Sequence, residues 1–334
     1  MGKIKISLCM IVKDEEDCIG KCLESVKNVV DEIIIVDTGS TDNTVEICKK
    51  FNAKIEHFNW NNSFCDARNF SIEKAKGDWI LWLDADEELD SSAQHILRQG
   101  THFENYDVIK LNLINYQGEK VDINNSTSIA HMRLFKNNGL KFINKMHERI
   151  DFKNIANERM GHLEINVHHY GYLDKYMKRK NKSERNIKLL KQQIKENDNV
   201  YWAHYFIALE HYQQQQFKKA LERVNQSIIT FLSQKVLPPA MVYKLKYSIL
   251  IAMGNYEMVT NGIDKAIMLY PDYVELFFLK GLNLYYLKKY NEAINCFEKC
   301  KEIGEDNLNY LILKGVGSFK AQQYIDECKK FLNI

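Results

Sequence analysis

The 334-residue chain reads as an α/β domain, a doubly wound and mostly parallel sheet, followed by an all-α domain of helical repeats. Three observations predict this. Short apolar runs alternate with amphipathic segments through the first hundred residues, the order that winds a parallel sheet. One run, Trp79-Ile80-Leu81-Trp82-Leu83, holds no polar residue and enters the acidic cluster Asp84-Ala85-Asp86-Glu87-Glu88. Beyond residue 200 the composition turns helical, and glycine and tyrosine positions return at a fixed interval. The expected divisions are 1–173 for the sheet domain, 174–199 for a basic helical connector and 200–334 for the repeats.

Residues 4–12 are apolar enough for a buried strand, and Asp14-Glu15-Glu16-Asp17 reads as the acidic first turn of the next helix. That helix carries Ile19, Cys22, Leu23 and Val26 on one face. Residues 32–37 form a second strand, ending in the turn Asp37-Thr38-Gly39-Ser40-Thr41-Asp42-Asn43-Thr44 before a helix at 45–51. A third strand at 53–57, a helix at 67–75 and a fourth strand at 78–84 follow. The fourth strand is apolar on both faces, so it belongs inside the sheet. Asp84 and Asp86 then fall at its carboxyl end, where open α/β sheets bind ligands. Two apart in an extended chain they share a face, and both carboxylates can converge on one hard cation. Magnesium or manganese held this way keeps open positions for substrate phosphates. The bland alternatives are a solvated acidic turn for the pair, a helix N-cap for Asp37 and a surface ion pair for Arg68.

Further strands are expected at 106–115 and 128–136, the second ending His131-Met132-Arg133-Leu134-Phe135-Lys136, with a turn at Asn137-Asn138-Gly139. Asn144 to Ile150 contains His147-Glu148, and the run 163–172 contains His168-His169-Tyr170-Gly171-Tyr172.

Four blocks carry a resemblance: Ser7-Leu8-Cys9-Met10-Ile11-Val12-Lys13-Asp14-Glu15-Glu16, Val36-Asp37-Thr38-Gly39-Ser40-Thr41-Asp42, Asp66-Ala67-Arg68-Asn69 and Asp84-Ala85-Asp86. In this order, over about ninety residues, they resemble family 2 glycosyltransferases of the GT-A fold. The resemblance implies transfer of a sugar from a UDP-sugar, with Mg2+ or Mn2+ as cofactor. It places Val12, Glu15, Asp37, Asp66, Arg68, Asp84 and Ala85 around the donor. Asp37 would receive the nucleobase, Asp66 and Arg68 would flank the nucleotide, Asp84 would touch ribose and metal, and Asp86 would be the principal metal carboxylate. Arg133-Leu134-Phe135, His147-Glu148 and a His before Gly171-Tyr172 extend the likeness.

An inverting transferase needs a group to accept the acceptor's proton. Glu148 is the candidate base, with His147 beside it; the family's common Glu-Asp base motif is not evident. His168 or His169 would complete the metal's coordination, and strand alternation lets only one of them face the site. For either, a histidine packed in a core is the ordinary reading. In the basic connector, Lys182 or Arg185 would fold over the donor diphosphate as a lid, or else belong to a solvated helix face.

Gly281 and Gly315, Tyr256 and Tyr290, and Tyr290 and Tyr324 are each 34 residues apart, the period of tetratricopeptide repeats. Pro271 falls at such a repeat's proline, Ala220 and Ala293 mark tight helix crossings with Phe297 beside the latter, and an insertion at 235–239 stretches the first interval. Three repeats and a truncated fourth are expected, with Tyr243 and Phe277 on the concave face. Such stacks hold a peptide or protein, join a homodimer or steady a neighbouring domain.

A net charge of +2 with 27% charged residues gives no field for nucleic acid, and no stretch reaches the roughly 18 apolar residues of a membrane span. Strand residues begin at position 4 with no apolar leader before them, and eight cysteines lack a paired framework, so reduced thiols and a cytoplasmic setting are expected. Cys18 with Cys22, and Cys296 with Cys300, read as core packing rather than zinc ligands. The combination resembles the S-glycosyltransferases that decorate bacteriocin peptides, the glycocins. It implies transfer of a hexose from a UDP-sugar to a Cys or Ser side chain of a peptide. Sugar transfer to a lipopolysaccharide core is one other reading, and a non-catalytic repeat scaffold is another. An intact Asp84 and Asp86 argue against the scaffold, which needs no metal pair.

Overall fold

The computed structural model describes residues 4–99, 103, 105–177 and 182–333. The chain divides into two compact units, Met1–Val121 with Ala130–Arg179, and Asp122–Ile129 with Lys180–Ile334.

In the first unit, β1 (Ile6–Val12), β2 (Glu32–Asp37), β3 (Lys54–His57) and β4 (Trp79–Trp82) are parallel and lie in the order β3-β2-β1-β4. The connections α1 (Ile19–Val26), α2 (Thr44–Lys49) and α3 (Phe64–Lys74) link them. The chain steps outward from β1 to β3, then returns to place β4 on the other side of β1. That reversal opens a crevice at the carboxyl ends of β1 and β4. Beyond β4 come β7 (Ser126–Lys136), antiparallel to it, then β6 (Val108–Tyr116), β10 (Met160–His169) and, antiparallel to β10, the short β5 (Glu87–Leu89). A two-stranded ribbon, β8 (Phe142–Ile143) with β9 (Arg149–Ile150), and helices α4 (Ser92–Gln99) and α5 (Asp174–Met177) complete the unit. Every residue of β4 is buried, as its unbroken apolar run requires, and Trp82 packs edge-on against Phe142 at 4.7 Å.

Local chemistry moves three expected features. Helix α3 starts at Phe64 rather than 67, because the Ser63 hydroxyl accepts the Asp66 amide at 3.2 Å and caps it. The acids at 14–17 do not open α1, which begins at Ile19 with no acidic residue in its first turn. They staple the loop after β2 instead: Asp14 accepts the Thr41 amide at 2.8 Å and Glu16 accepts the Asn43 amide at 3.1 Å. The chain from Asp84 to Asp86 is not extended but turns, with the Glu87 amide donating to the Asp84 carbonyl at 3.1 Å. The two carboxylates therefore take different partners, described below.

The second unit contains α6 (Lys182–Lys195) and the helical pairs α7 (Val200–Gln213) with α8 (Phe217–Ser233) and α12 (Val274–Tyr286) with α13 (Tyr290–Ile303). Between them, α9 (Ala240–Ala252) is followed by a helix broken at Asn261-Gly262 into α10 (Tyr256–Thr260) and α11 (Ile263–Leu269). A last helix, α14 (Phe319–Leu332), packs on α13. The fourth expected repeat keeps only this one helix. Gly315 is not helical but sits in a turn at φ 98°, after a short strand β11 (Ile312–Leu313) that pairs with Ser128 and Thr127. Glu305 fixes that turn by accepting the Gly315 amide at 2.9 Å and the Gly317 amide at 3.0 Å. Tyr243 and Phe277 are half-buried and pack against the core of this unit. None of the eight cysteines, all among the described residues, is joined in a disulfide, and burial pushes Cys9 and Cys48 up to about 12. Among the described residues no helix is long and apolar enough to cross a membrane.

Ala220 and Ala293 are fully buried, and Gly281 faces the Phe297 ring, where an added Cβ would lie 2.7 Å from a ring carbon. Gly281→Ala is expected to destabilise this unit by about 1–3 kcal/mol, since a buried ring has nowhere to move. Chemical unfolding checks it; an unchanged or raised midpoint would mean that the helix pair yields.

Candidate active site

The carboxyl edge of β1, β2 and β4 is built from loops that bond to each other. The Val12 carbonyl accepts the Thr38 amide at 3.0 Å, and the Glu15 amide donates to Thr44 Oγ1 at 2.7 Å. Asp37, at the end of β2, is buried and turns its carboxylate onto its own loop, accepting the Ser40 amide at 3.0 Å and the Gly39 amide at 3.2 Å. His57 Nδ1 lies 3.4 Å from the same carboxylate. Asp66 is exposed on α3 and accepts Asn61 Nδ2 at 2.7 Å.

Arg68, two residues on and on the opposite face of α3, is buried. Its Nη2 donates to Asp84 Oδ1 at 2.6 Å and its Nε donates to Glu148 Oε1, so one guanidinium joins α3, the end of β4 and the segment before β9. Burial alone would raise the Asp84 carboxyl, but Arg68 and then Arg133 hold it well below the usual carboxylate range. Asp84 keeps 37% of its side chain exposed, whereas Glu148 keeps 9%. His147, beside Glu148, is exposed and sits in the left-handed region at φ 50°.

Asp86 points elsewhere. Its Oδ1 lies 3.6 Å from His169 Nε2, and the two groups meet where Gly171 has no side chain. A Cβ there would run into Asp86 Oδ2 and stand 2.6 Å from His169 Nε2. His169 Nδ1 bonds Asn115 Oδ1 at 2.7 Å, which puts the proton on that nitrogen and leaves Nε2 as the acceptor when the ring is neutral. Burial lowers His169, but the Asp86 carboxylate outweighs it and raises the imidazole above its ordinary range. His168, one residue earlier, faces the other way: its Nδ1 bonds the Tyr116 hydroxyl at 2.9 Å and the rings stack. Among the described residues no three His, Cys, Asp or Glu side chains gather as a complete metal cage. Asp86 and His169 nonetheless fit a divalent cation: a hard oxygen and an imidazole with a fixed tautomer, side by side where Gly171 has no side chain to part them. A cavity of about 170 Å³ opens beside Ala85 and Asp86, walled also by Cys18, Lys21, Tyr170 and Tyr176. Arg185 lies on α6 of the second unit and donates to Asn186 Oδ1 at 3.4 Å. Residues 178–181 of the expected connector, and the side chain of Lys182, lie outside what is described.

Residues 7–177 match the model of glycosyl transferase family 2. The chain belongs to that family. The SPbeta prophage-derived glycosyltransferase SunS of Bacillus subtilis is 30% identical over 83% of this chain and 66% of its own length. A TPR repeat-containing protein of Synechococcus elongatus is 54% identical over 25% of this chain and 21% of its own. The chain thus spans about two thirds of one relative and a fifth of the other. Among solved structures, S. aureus TarS (residues 1–349) covers 75% of this chain and 87% of its own, with 16% identity and a TM-score of 0.39.

Within this family 2 domain, three residues of the site were not singled out in the sequence, Glu87, Trp82 and Asn115, and Arg133 was noted only as part of the Arg133-Leu134-Phe135 block. Glu87 was in plain view, third in the acidic cluster, and its Oε2 accepts the Asp84 amide at 3.0 Å. Trp82 reads only as an apolar strand residue, yet the Arg68 and Arg133 guanidiniums lie 4.6 and 4.5 Å from its ring centroid. No local pattern marks Asn115 as a partner for a histidine 54 residues later.

Proposed function

We propose that this family 2 chain is an inverting, metal-dependent transferase that moves a hexose from a UDP-sugar to a Cys or Ser side chain of a peptide. The observation that carries the reading is the Asp86–His169 pair, brought together against Gly171 at the carboxyl edge of the sheet. A divalent cation held there would neutralise the departing diphosphate as a Lewis acid. Around it, the chain's own groups bind and orient. The Asp37 carboxylate spends only part of its acceptor capacity on two amides, and the remainder suits the imide N–H of uracil. Asp84, half-open to solvent and kept ionised by Arg68, can take the ribose hydroxyls. Arg68, Asp66, Val12, Glu15 and Ala85 shape the donor site.

Glu148 is the proposed base, with His147 as the alternative in a segment whose two left-handed residues, Asn144 and His147, bend the chain there. The peptide acceptor is supported by the likeness of the motifs to the glycocin S-glycosyltransferases, and a helical stack offers an extended face for a peptide.

Incubation with a panel of nucleotide sugars, with free nucleotide as the readout of slow donor hydrolysis, tests the donor. UDP-hexoses should be consumed and the others spared; no hydrolysis of any UDP-sugar would end the reading. Glu148→Gln should cut transfer to a Ser peptide by about a hundredfold with donor binding retained, and less for a Cys peptide, whose thiol is partly ionised. Native turnover with Ser in that variant would remove Glu148 as the base.

A further inference from the structure

We infer that Arg133 is a positioning residue for the loop that presents Asp86, acting through Glu87; this rests on the metal reading above. The turn from Asp84 to Glu87 is closed from both sides. The Glu87 amide donates to the Asp84 carbonyl at 3.1 Å, and the Glu87 side chain returns so that its Oε2 accepts the Asp84 amide at 3.0 Å. Its other oxygen, Oε1, accepts Arg133 Nη2 from β7. Both side chains are buried, at 4% and 1% exposure, so this ion pair fixes the metal-facing loop to a strand that carries none of the proposed ligands. The Arg133 guanidinium lies over Trp82, the last residue of β4, which sets its plane and hence the direction from which Glu87 is held. Asp86 then projects from a turn with little freedom, its carbonyl accepting the Tyr170 amide at 3.0 Å.

Stability alone gives no reason for this arrangement. A buried ion pair roughly breaks even with an apolar pair of the same size. This one is also badly satisfied: Arg133 Nε and Nη1 are buried without an acceptor, as are Arg68 Nη1 and Trp82 Nε1 beside them. Donors left bare are a cost that an apolar replacement would not carry. What the pair supplies is direction. A planar fork held on an aromatic face aims one carboxylate at one backbone amide, which neither a lysine nor an apolar pair can do.

The test measures Mn2+ binding to the full chain with UDP present, by the electron paramagnetic resonance signal of free Mn2+, alongside the melting temperature. Two variants are compared with the parent: Arg133→Lys, which keeps the charge and loses the fork, and Arg133→Met with Glu87→Gln, which removes the ion pair without leaving a lone charge and keeps a side-chain oxygen for the Asp84 amide. Both should weaken Mn2+ binding about tenfold or more, the usual effect of removing a group that orients a ligand. The double variant should melt no lower than the parent. A purely structural role predicts the opposite, a lower melting temperature with native Mn2+ affinity in the folded protein, and that result overturns the inference. If the double variant does not fold, Arg133→Lys decides alone. A parent chain that binds no Mn2+ overturns the metal reading and this inference with it; a parent that binds while both variants bind equally well overturns this inference only.

Discussion

Asp86→Ala is expected to lower sugar transfer by about a thousandfold or more while leaving the fold intact. The size follows from what a cation at a departing diphosphate contributes, several kcal/mol of transition-state stabilisation, each 1.36 kcal/mol being about tenfold in rate. The fold should survive because Asp86 bonds through its carbonyl to Tyr170, which the substitution keeps, and its side chain faces one histidine at the edge of a cavity. His169→Ala should lose a large part of the same activity, since its Nε2 meets Asp86 against Gly171. His168→Ala should not, because that ring is turned to Tyr116. EDTA should reproduce the Asp86→Ala loss in the parent, and added Mn2+ should restore it. Activity measured with a UDP-hexose in the four proteins decides the matter. Full transfer by Asp86→Ala or in EDTA refutes the metal role, and an equal loss from His168→Ala shows that the two histidines were assigned to the wrong faces.

Features set by a single local rule were legible in the sequence. The β4 run had one physical solution, a strand buried on both faces, and the acids after it had to lie at the sheet's carboxyl edge. The strict alternation of side chains in β10 allowed only one of His168 and His169 to face the site, though nothing local said which. Asn115 and Tyr116, neighbours in β6, take one histidine each, and that depends on the β6–β10 register. What failed was whatever depended on a partner far along the chain. Asp84 and Asp86 look equivalent in sequence, but the chain turns between them. Arg68, sixteen residues before Asp84, and His169, far after Asp86, draw the two carboxylates apart. The acids at 14–17 suit a helix start equally well, until the loop after β2 presents amides that they can bond. In the helical unit the 34-residue spacing located Gly281 correctly, but at Gly315 the backbone leaves the helix because Glu305 offers its amide a carboxylate.

Arg68→Met should destabilise the first unit by about 3–5 kcal/mol, the usual cost of removing one partner from a buried ionic group. The guanidinium separates two carboxylates, Asp84 and Glu148, and bonds both. Burial alone would lower Arg68, but Asp84 and Glu148 outweigh it and raise it above its ordinary value, so it is charged at every accessible pH. Without it, Glu148 loses its cationic partner in a setting where only 9% of its side chain meets solvent, and Trp82 loses a cation from its face. A fall of roughly 10 °C in melting temperature is expected for a unit of this size. Two further variants separate charge from packing. Arg68→Lys keeps the charge but cannot reach both carboxylates with a fork, so it should recover only part of the loss. Arg68→Met with Glu148→Gln removes the carboxyl left without its partner, and its loss should be smaller than that of Arg68→Met alone by about 0.5–3 kcal/mol, the range found for groups in contact. If Arg68→Met melts with the parent, or if Glu148→Gln brings no recovery, the bridge between α3, β4 and the segment before β9 is not what holds the floor of this site.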